Sequence, residues 1–349
     1  MSNEILLQNI NKYILDPILK QAGISEDTLR FDSTVMTRFG KQEGAKKGYN
    51  SAKRGRLSHN PQIAFLGNGY TVNFWNRSGN AVSANGIVEF YEQTRSFISD
   101  IKITRVLADS GFYSKNFIKQ LEKDNIDYVI ATPIHQYFQR IIYNLENWTT
   151  VAEGIEVSEF EYSHHNADWE GGRRYIAVRQ ELKKSQEATG KQLRLFINES
   201  YYTEYRHSLY VTNDEEATPH EIWNYYKPRT NDENVIKNLK EGFGLSAYNM
   251  KSFWATEAVL MTICLIFHNL ITLLVKNIID PGGKRKTLRS LRMEYLIVPA
   301  IMGKDGRDDV IRIGLSNPKR KNKFIQILER IADMEVIFYC NAVEIGELI

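Results

Sequence analysis

The stretch W-N-Y-Y-K-P-R-T-N-D-E-N-V-I-K-N-L-K-E-G-F-G-L, Trp223 to Leu245, sets Tyr226, Arg229, Glu233 and Lys240 at successive spacings of three, four and seven. At about 100° per residue, steps of four and seven return to nearly the same side of an α-helix, so Arg229, Glu233 and Lys240 share one flank. Pro228 suits a first helical position, where a missing N–H goes unnoticed, and Gly242 and Gly244 suit the far end. Tyr226 then stands just before the first turn. Read alone, such a stripe describes a solvated helix with i,i+4 charge pairs worth a few tenths of a kcal/mol each. Read as chemistry, it is a carboxylate that holds a metal, flanked by cations and a tyrosine that grip phosphates. That second reading needs further acids from elsewhere in the chain.

Two aspartates qualify. Asp32 ends T-L-R-F-D-S-T and Asp109 ends I-T-R-V-L-A-D-S-G-F-Y-S, and each follows a short apolar, strand-like run and precedes a serine and a break. Taken singly, such residues usually cap the next turn. Together with Glu233 they form a three-carboxylate set of the kind that binds hard divalent cations through oxygen.

With these residues in hand the sequence resembles the bacterial insertion-sequence transposases of the DDE class. Tyr226, Arg229, Glu233 and Lys240 fit their Y-x2-R-x3-E-x6-K signature without a gap. The likeness extends to Asp32 with the downstream K-Q-E-G-A-K-K-G-Y-N, to R-S-G-N-A at Arg77 to Ala81, and to A-D-S-G-F-Y-S around Asp109. Four ordered motifs are far more specific than any one of them. The resemblance implies an α/β fold: an RNase H-like mixed sheet flanked by helices, with an antiparallel β insertion between the second Asp and the Glu. It also implies that Asp32, Asp109 and Glu233 are catalytic and hold two Mg²⁺ or Mn²⁺ ions, and that Tyr226, Arg229 and Lys240 bind DNA phosphates. The implied reaction is DNA strand cleavage and strand transfer at the ends of an insertion sequence, through a hairpin intermediate in some relatives. The implied partners are double-stranded DNA, as terminal inverted repeats and as target, and a second copy of the chain in a synaptic complex.

Around this centre the chain divides into a short helical leader at 1–27, the first part of the core at 28–134, the β-rich insertion at 135–212, the second part of the core at 213–280, and a basic segment at 281–349. The leader carries Ile5, Leu6, Ile10, Tyr13, Ile14 and Ile18 at helical spacing, and lacks the charged, apolar and small-residue order of a signal peptide. From Thr28, T-L-R-F-D, P-Q-I-A-F-L-G and Y-T-V-N-F-W-N predict three strands. A helix over Ala84 to Ser99, the strand ending at Asp109, a helix over Lys115 to Lys123 and the strand D-Y-V-I-A-T follow. In the RNase H-like order the first and fourth strands are neighbours, which would bring Asp32 and Asp109 together.

The insertion shows alternating aromatic and charged residues, as in E-F-E-Y-S-H, R-R-Y-I-A-V-R and L-R-L-F-I-N, typical of antiparallel strands with one solvated face. Its His164, His165 and Asp168 fall in a polar hairpin without a complementary ligand pair, so they are not read as a metal site. A hairpin intermediate would require a base to leave the stack. Trp148, Trp169, Tyr205 and Trp223 are the aromatic candidates to receive it, though an aromatic in such an insertion is more often packing and none is singled out. Gly242 to Ala247 imitates a dinucleotide fingerprint but follows a helix rather than a strand, so the mechanism behind that fingerprint is missing.

Phe253 to Ile279 is apolar enough to suggest a membrane span, yet it carries Glu257, His268 and Asn269, and a helix buried against the core sheet is the better reading. After Pro281, E-Y-L-I-V-P-A-I-M and D-V-I-R-I-G-L predict a hairpin around G-K-D-G-R, and Phe324 to Ala332 a helix. Net charge is only +3 over 349 residues. The positive residues nevertheless cluster at Lys46, Lys47, Lys53, Arg54 and Arg56, at Lys284, Arg285, Lys286, Arg289 and Arg292, and at Lys319, Arg320, Lys321 and Lys323, a phosphate-binding footprint. The two cysteines, Cys264 and Cys340, are far apart in apolar contexts, so no disulfide framework or cysteine zinc site is predicted and a reducing cytoplasm is expected.

Only 31 residues precede Asp32, where the resembled transposases carry a sizeable helical DNA-binding region. A shortened or domesticated relative that binds DNA without transposing is therefore the alternative. A stand-alone metal-dependent nuclease is a third reading, which the Y-R-E-K stripe disfavours.

Overall fold

The computed structural model describes residues 13, 15–50, 53–164, 169, 171–182, 205–248, 250–282 and 286–333. Ile5, Leu6, Ile10 and Ile14 of the leader, His165 and Asp168, the 193–198 run, Lys284, Arg285 and Cys340 lie outside the described residues.

Nine strands form one sheet: β1 (Glu26–Ser33), β5 (Gln62–Leu66), β6 (Thr71–Trp75), β7 (Lys102–Ala108), β8 (Asp127–Ala131), β9 (Thr149–Ala152), β10 (Ile155–Tyr162), β11 (Arg173–Glu181) and β12 (Tyr205–Thr212). Their order is β6-β5-β1-β7-β8-β12-β11-β10-β9. β1, β7 and β8 run parallel; every other pairing is antiparallel. The first five strands in this order reproduce the predicted arrangement, with the first strand of the core beside the fourth. The strands between 149 and 212 extend the same sheet from β8 outward. A smaller sheet, β2 (Met36–Thr37), β3 (Lys46–Lys47) and β4 (Leu57–His59), grows out of the connection between β1 and β5.

Helices cover both faces of the core sheet. Along β1 the side chains alternate, as the period of two requires. Leu29 and Phe31 join the cluster that holds α1 (Ile87–Phe97), α2 (Lys115–Lys123) and Leu15, Ile18 and Leu19 of the helical residues 15–21. In the leader stripe Ile18 is buried as expected, but Tyr13 is exposed and Leu15 and Leu19 take the core positions.

Arg30 and Asp32 face the opposite layer, paired across the sheet with Phe65 and Ile63. There Ile63, Phe65 and Phe74 meet Val235, Ile236 and Leu239 of the helix Thr230–Glu241 and Leu260 of the long helix Phe253–Ile279. Each such fully buried side chain contributes roughly 1.5–3 kcal/mol. The long helix has the length and composition of a membrane span, with 44% of its most apolar window buried. Its Asn269 is pinned to the edge strand β6, accepting from Thr71 N at 2.8 Å and donating to Thr71 O at 2.7 Å. A polar residue in mid-run thus satisfies the exposed backbone of a sheet edge. His268 beside it is buried, with Nδ1 3.3 Å from Thr71 Oγ1.

Two segments depart from the sequence reading. Residues Gln136–Tyr143, placed in the insertion by its strand-like texture, form helix α3, burying Phe138 and Ile142 four apart. The C-terminal hairpin forms as β13 (Ala300–Asp305) and β14 (Asp308–Ile313), but the E-Y-L-I-V part of its predicted first arm is instead largely helical, in a turn over Arg292–Leu296. Pro299 allows no helix through it and starts the extended arm. The final helix, predicted over Phe324 to Ala332, runs Pro318–Asp333.

Candidate active site

Helix α4 (Pro219–Tyr226) opens with a capping box, Thr218 with Glu221, and Pro219 at its first turn. The first-turn proline therefore belongs to this helix. Pro228 lies instead in a 3₁₀ turn, Lys227–Arg229, that joins α4 to α5 (Thr230–Glu241). The expected start at Pro228 is corrected accordingly, and Tyr226 is the last residue of α4. A proline can neither donate nor fit inside an α-helix, but a tighter turn tolerates it. This joint turns Arg229 onto the carboxyl end of the sheet.

Because Phe31 pairs with Ala108 in parallel register, Asp32 and Asp109 come off neighbouring strands at the same edge. One Arg229 terminal nitrogen lies 3.2 Å from Asp32 Oδ2 and 3.6 Å from Asp109 Oδ2. Asp32 is buried, and its Oδ1 accepts from Ser33 N at 2.7 Å. Asp109 Oδ1 accepts from Gly111 N at 2.9 Å and caps the turn Ser110–Phe112, so the capping role and the site role coexist on different oxygens. Tyr226 donates to Ala108 O at 3.4 Å and accepts from Arg229 at 3.1 Å, fixing the guanidinium from behind. Lys240 donates to Val35 O at 3.1 Å, just beyond the end of β1.

The electrostatics follow. Burial pushes the Asp32 carboxyl up to about 7, against the pull of Arg229 and with the push of Asp109. Burial alone would lower the Arg229 guanidinium, yet Asp32, Tyr226 and Asp109 hold it above its usual value. Burial lowers Lys240, with Asp32 opposing. Burial also raises Tyr226, so its hydroxyl keeps its proton. Burial thus outweighs the arginine beside Asp32.

The structure brings together Asp32, Asp109, Arg229 and Tyr226, with Lys240 at the margin. Glu233 is not joined to them. By helical geometry it stands roughly 20° from Lys240, on that flank of α5, and it is exposed. Among the described residues no group of three His, Cys, Asp or Glu is placed to hold a metal ion, so the expected trio of carboxylates is not assembled here. One residue earlier the helix is anchored to the sheet. Asp232 lies on the apolar stripe with Val235, Ile236 and Leu239 and is fully buried against Arg30 at 2.9 Å. Arg30 also donates to Pro228 O at 3.0 Å and Gly67 O at 2.6 Å, locking the joint before α5 to the sheet. This pair escaped the sequence reading, though an acid three residues before Val235 on a buried stripe was its signal. Asp32 and Asp109 suit a hard divalent cation in donor chemistry, two carboxylates at one edge of the sheet.

The aromatic candidates are all engaged. Trp148 donates to Leu145 O and lies under Arg179, which also covers Tyr205. Trp169 stacks on Tyr113, and Trp223 lies 3.3 Å from Lys227 Nζ. His164 belongs to an aromatic cluster, 3.0 Å from Tyr113 OH.

Among solved structures, the chain is similar to a piggyBac transposase in a cryo-EM synaptic complex with hairpin DNA, at 12% identity and a TM-score of 0.44, over 90% of this chain and 55% of that one. It thus spans little more than half the length of that protein. No curated protein matches its sequence. The family model described as the transposase DDE domain, group 1, matches residues 2–336, nearly the whole chain, and the protein belongs to that family.

Proposed function

We propose that the chain is a transposase that cuts and joins DNA strands at the ends of an insertion sequence, with Asp32, Asp109 and Glu233 as its catalytic carboxylates. The observation that carries this reading is the meeting of Asp32 and Asp109 at the ends of two parallel strands, with Arg229 between them. Asp32 and Asp109 would hold Mg²⁺ or Mn²⁺, with Glu233 completing the set from the flank of α5. When bound, two such ions activate the attacking oxygen and stabilise the leaving oxygen of a phosphodiester.

The chain's own residues do the rest. Arg229 offers a planar fork to a phosphate, Lys240 a point charge and Tyr226 a hydroxyl donor, all at the edge where the carboxylates lie. Asp32, whose carboxyl burial raises to about 7, would hold a cation only as its carboxylate, which would couple ion binding to pH. Water as nucleophile would nick the strand. The freed 3′-hydroxyl would then attack a second phosphate, either on the opposite strand to close a hairpin or on target DNA. Paired assembly of two chains on two DNA ends belongs to the same reading.

Replacing Asp32, Asp109 or Glu233 singly with alanine is expected to abolish metal-dependent cleavage of duplexes carrying the ends that flank the gene, while DNA binding persists. Retained cleavage in any variant removes that residue from the site. A relative that binds DNA without transposing would bind those ends and cut neither strand.

A further inference from the structure

The loop between β1 and β5 carries more charge and more exposed aromatic surface than the chemistry above uses. Lys46, Lys47, Lys53, Arg54 and Arg56 are all exposed. The carboxylate of Glu43, the one acid between Arg38 and Ser58, accepts from Phe253 N at 2.8 Å. Among these cations stand Phe39, 74% exposed, and Tyr49, 83% exposed. Lys53 Nζ lies 4.6 Å from the centroid of the Phe39 ring, steadying that ring from one side.

The loop is built as a fixed scaffold. Arg38 is buried and donates to His59 Nδ1 at 3.1 Å and to Tyr248 O at 2.9 Å, and His59 Nε2 is 2.9 Å from Glu43 O. Asn50, next to Tyr49, bonds both Thr37 Oγ1 and Lys53 N at 2.9 Å, which ties the Tyr49 and Phe39 arms together. Gly48 packs so closely on Gly79 that a Cβ there would come 1.8 Å from Gly79 O. Phe39 is seven residues past Asp32, so the platform begins within about 25 Å of the site by chain length.

We propose that this small sheet is a docking platform for unpaired DNA beside the cut, with Phe39 and Tyr49 stacking on bases and the surrounding lysines and arginines holding the phosphates. The occupant follows from the chemistry. A dense field of exposed cations selects a polyanion. Open aromatic faces serve a nucleic acid only where bases have left the duplex, since paired bases already stack on each other. The inference rests on the DNA-processing reading above and adds to it a site for the single-stranded part of the substrate.

The test is fluorescence anisotropy without divalent metal, using a labelled single-stranded oligonucleotide of mixed sequence and the duplex of the same sequence. Phe39→Ala and Tyr49→Ala are each expected to weaken single-strand binding about tenfold, the size of one base–aromatic stack, and to leave duplex binding unchanged. Phe39→Trp and Tyr49→Phe should retain single-strand binding. Lys46→Glu with Lys47→Glu should weaken both and flatten the salt dependence. Alanine variants that leave single-strand affinity intact, or that weaken single strand and duplex alike, overturn the platform. Metal-dependent cleavage by the wild type, measured alongside, tests the transposase reading separately: absent cleavage with preserved strand discrimination leaves the platform standing.

Discussion

The charge state of Asp32 gives a quantitative handle on the site. Its carboxyl is raised from 3.8 to about 7, with burial the main cause. A group held more tightly protonated in the folded state contributes its full stability below the unfolded value and loses it as pH rises toward the folded one. The window is therefore about pH 4 to 7, with stability falling as pH rises. Three units at 1.36 kcal/mol each give a stability loss of about 4 kcal/mol by pH 8, where Asp32 is ionised, and about 2 kcal/mol by pH 5.5, where the folded carboxyl still keeps its proton and the unfolded one has lost it. Asp32→Asn removes the titration while keeping the shape. Urea unfolding of both proteins without divalent metal should show the variant more stable, with a gap that narrows by about 2 kcal/mol from pH 8 to 5.5. Added Mg²⁺ near pH 8 should recover wild-type stability and leave the variant unmoved. A gap that stays constant with pH, or widens in acid, would refute the account of Asp32 as a carboxyl raised by burial.

Arg30→Met should cost about 3–5 kcal/mol in urea unfolding, because it leaves Asp232 buried without its partner, and a double variant with Asp232→Leu should recover most of that loss. Gly79→Ala would set a Cβ 2.2 Å from Ser58 O and 2.4 Å from Lys46 O; a loss of about 1–3 kcal/mol is expected, visible as a lower urea midpoint. Arg229→Lys keeps a positive charge between Asp32 and Asp109 but not the fork; cleavage of end-bearing duplexes should fall by roughly 10- to 100-fold while the melting temperature moves little.

How much of this was readable in the sequence depended on whether a signal was local. Strand-like runs ending in Asp32 and Asp109 became β1 and β7, and their adjacency was anticipated from the RNase H-like order that the resemblance implies. The helix Lys115–Lys123 was read to the residue, since Ser114 caps it and Phe117, Ile118 and Leu121 repeat at helical spacing. Misreadings came where two signals competed. Gln136–Tyr143 has strand-like composition, yet as a helix it buries Phe138 and Ile142 together in the core cluster. Pro228 mimics a helix start, but the capped one is Pro219 behind Thr218, nine residues earlier. The charged stripe of α5 masks its apolar one, and with it Asp232.

The arrangement of Arg229 has a cost that its position explains. It sits at the start of α5, where the helix dipole disfavours a cation, typically by some tenths of a kcal/mol, while Asp232 and Glu233 occupy the first turn where anions are favoured. A cation accepted at that end must be compensated by nearby negative charge, and Asp32 and Asp109 provide it. The same field that steadies two carboxylates suits a phosphate equally well. If a phosphodiester takes over the Arg229 fork, Asp32 and Asp109 lose their counter-charge and become stronger donors to a divalent ion. An ion held by those aspartates, in turn, frees Arg229 to grip the phosphate. Each ligand then increases the affinity for the other, a reciprocal coupling that follows from one guanidinium shared between two anionic partners.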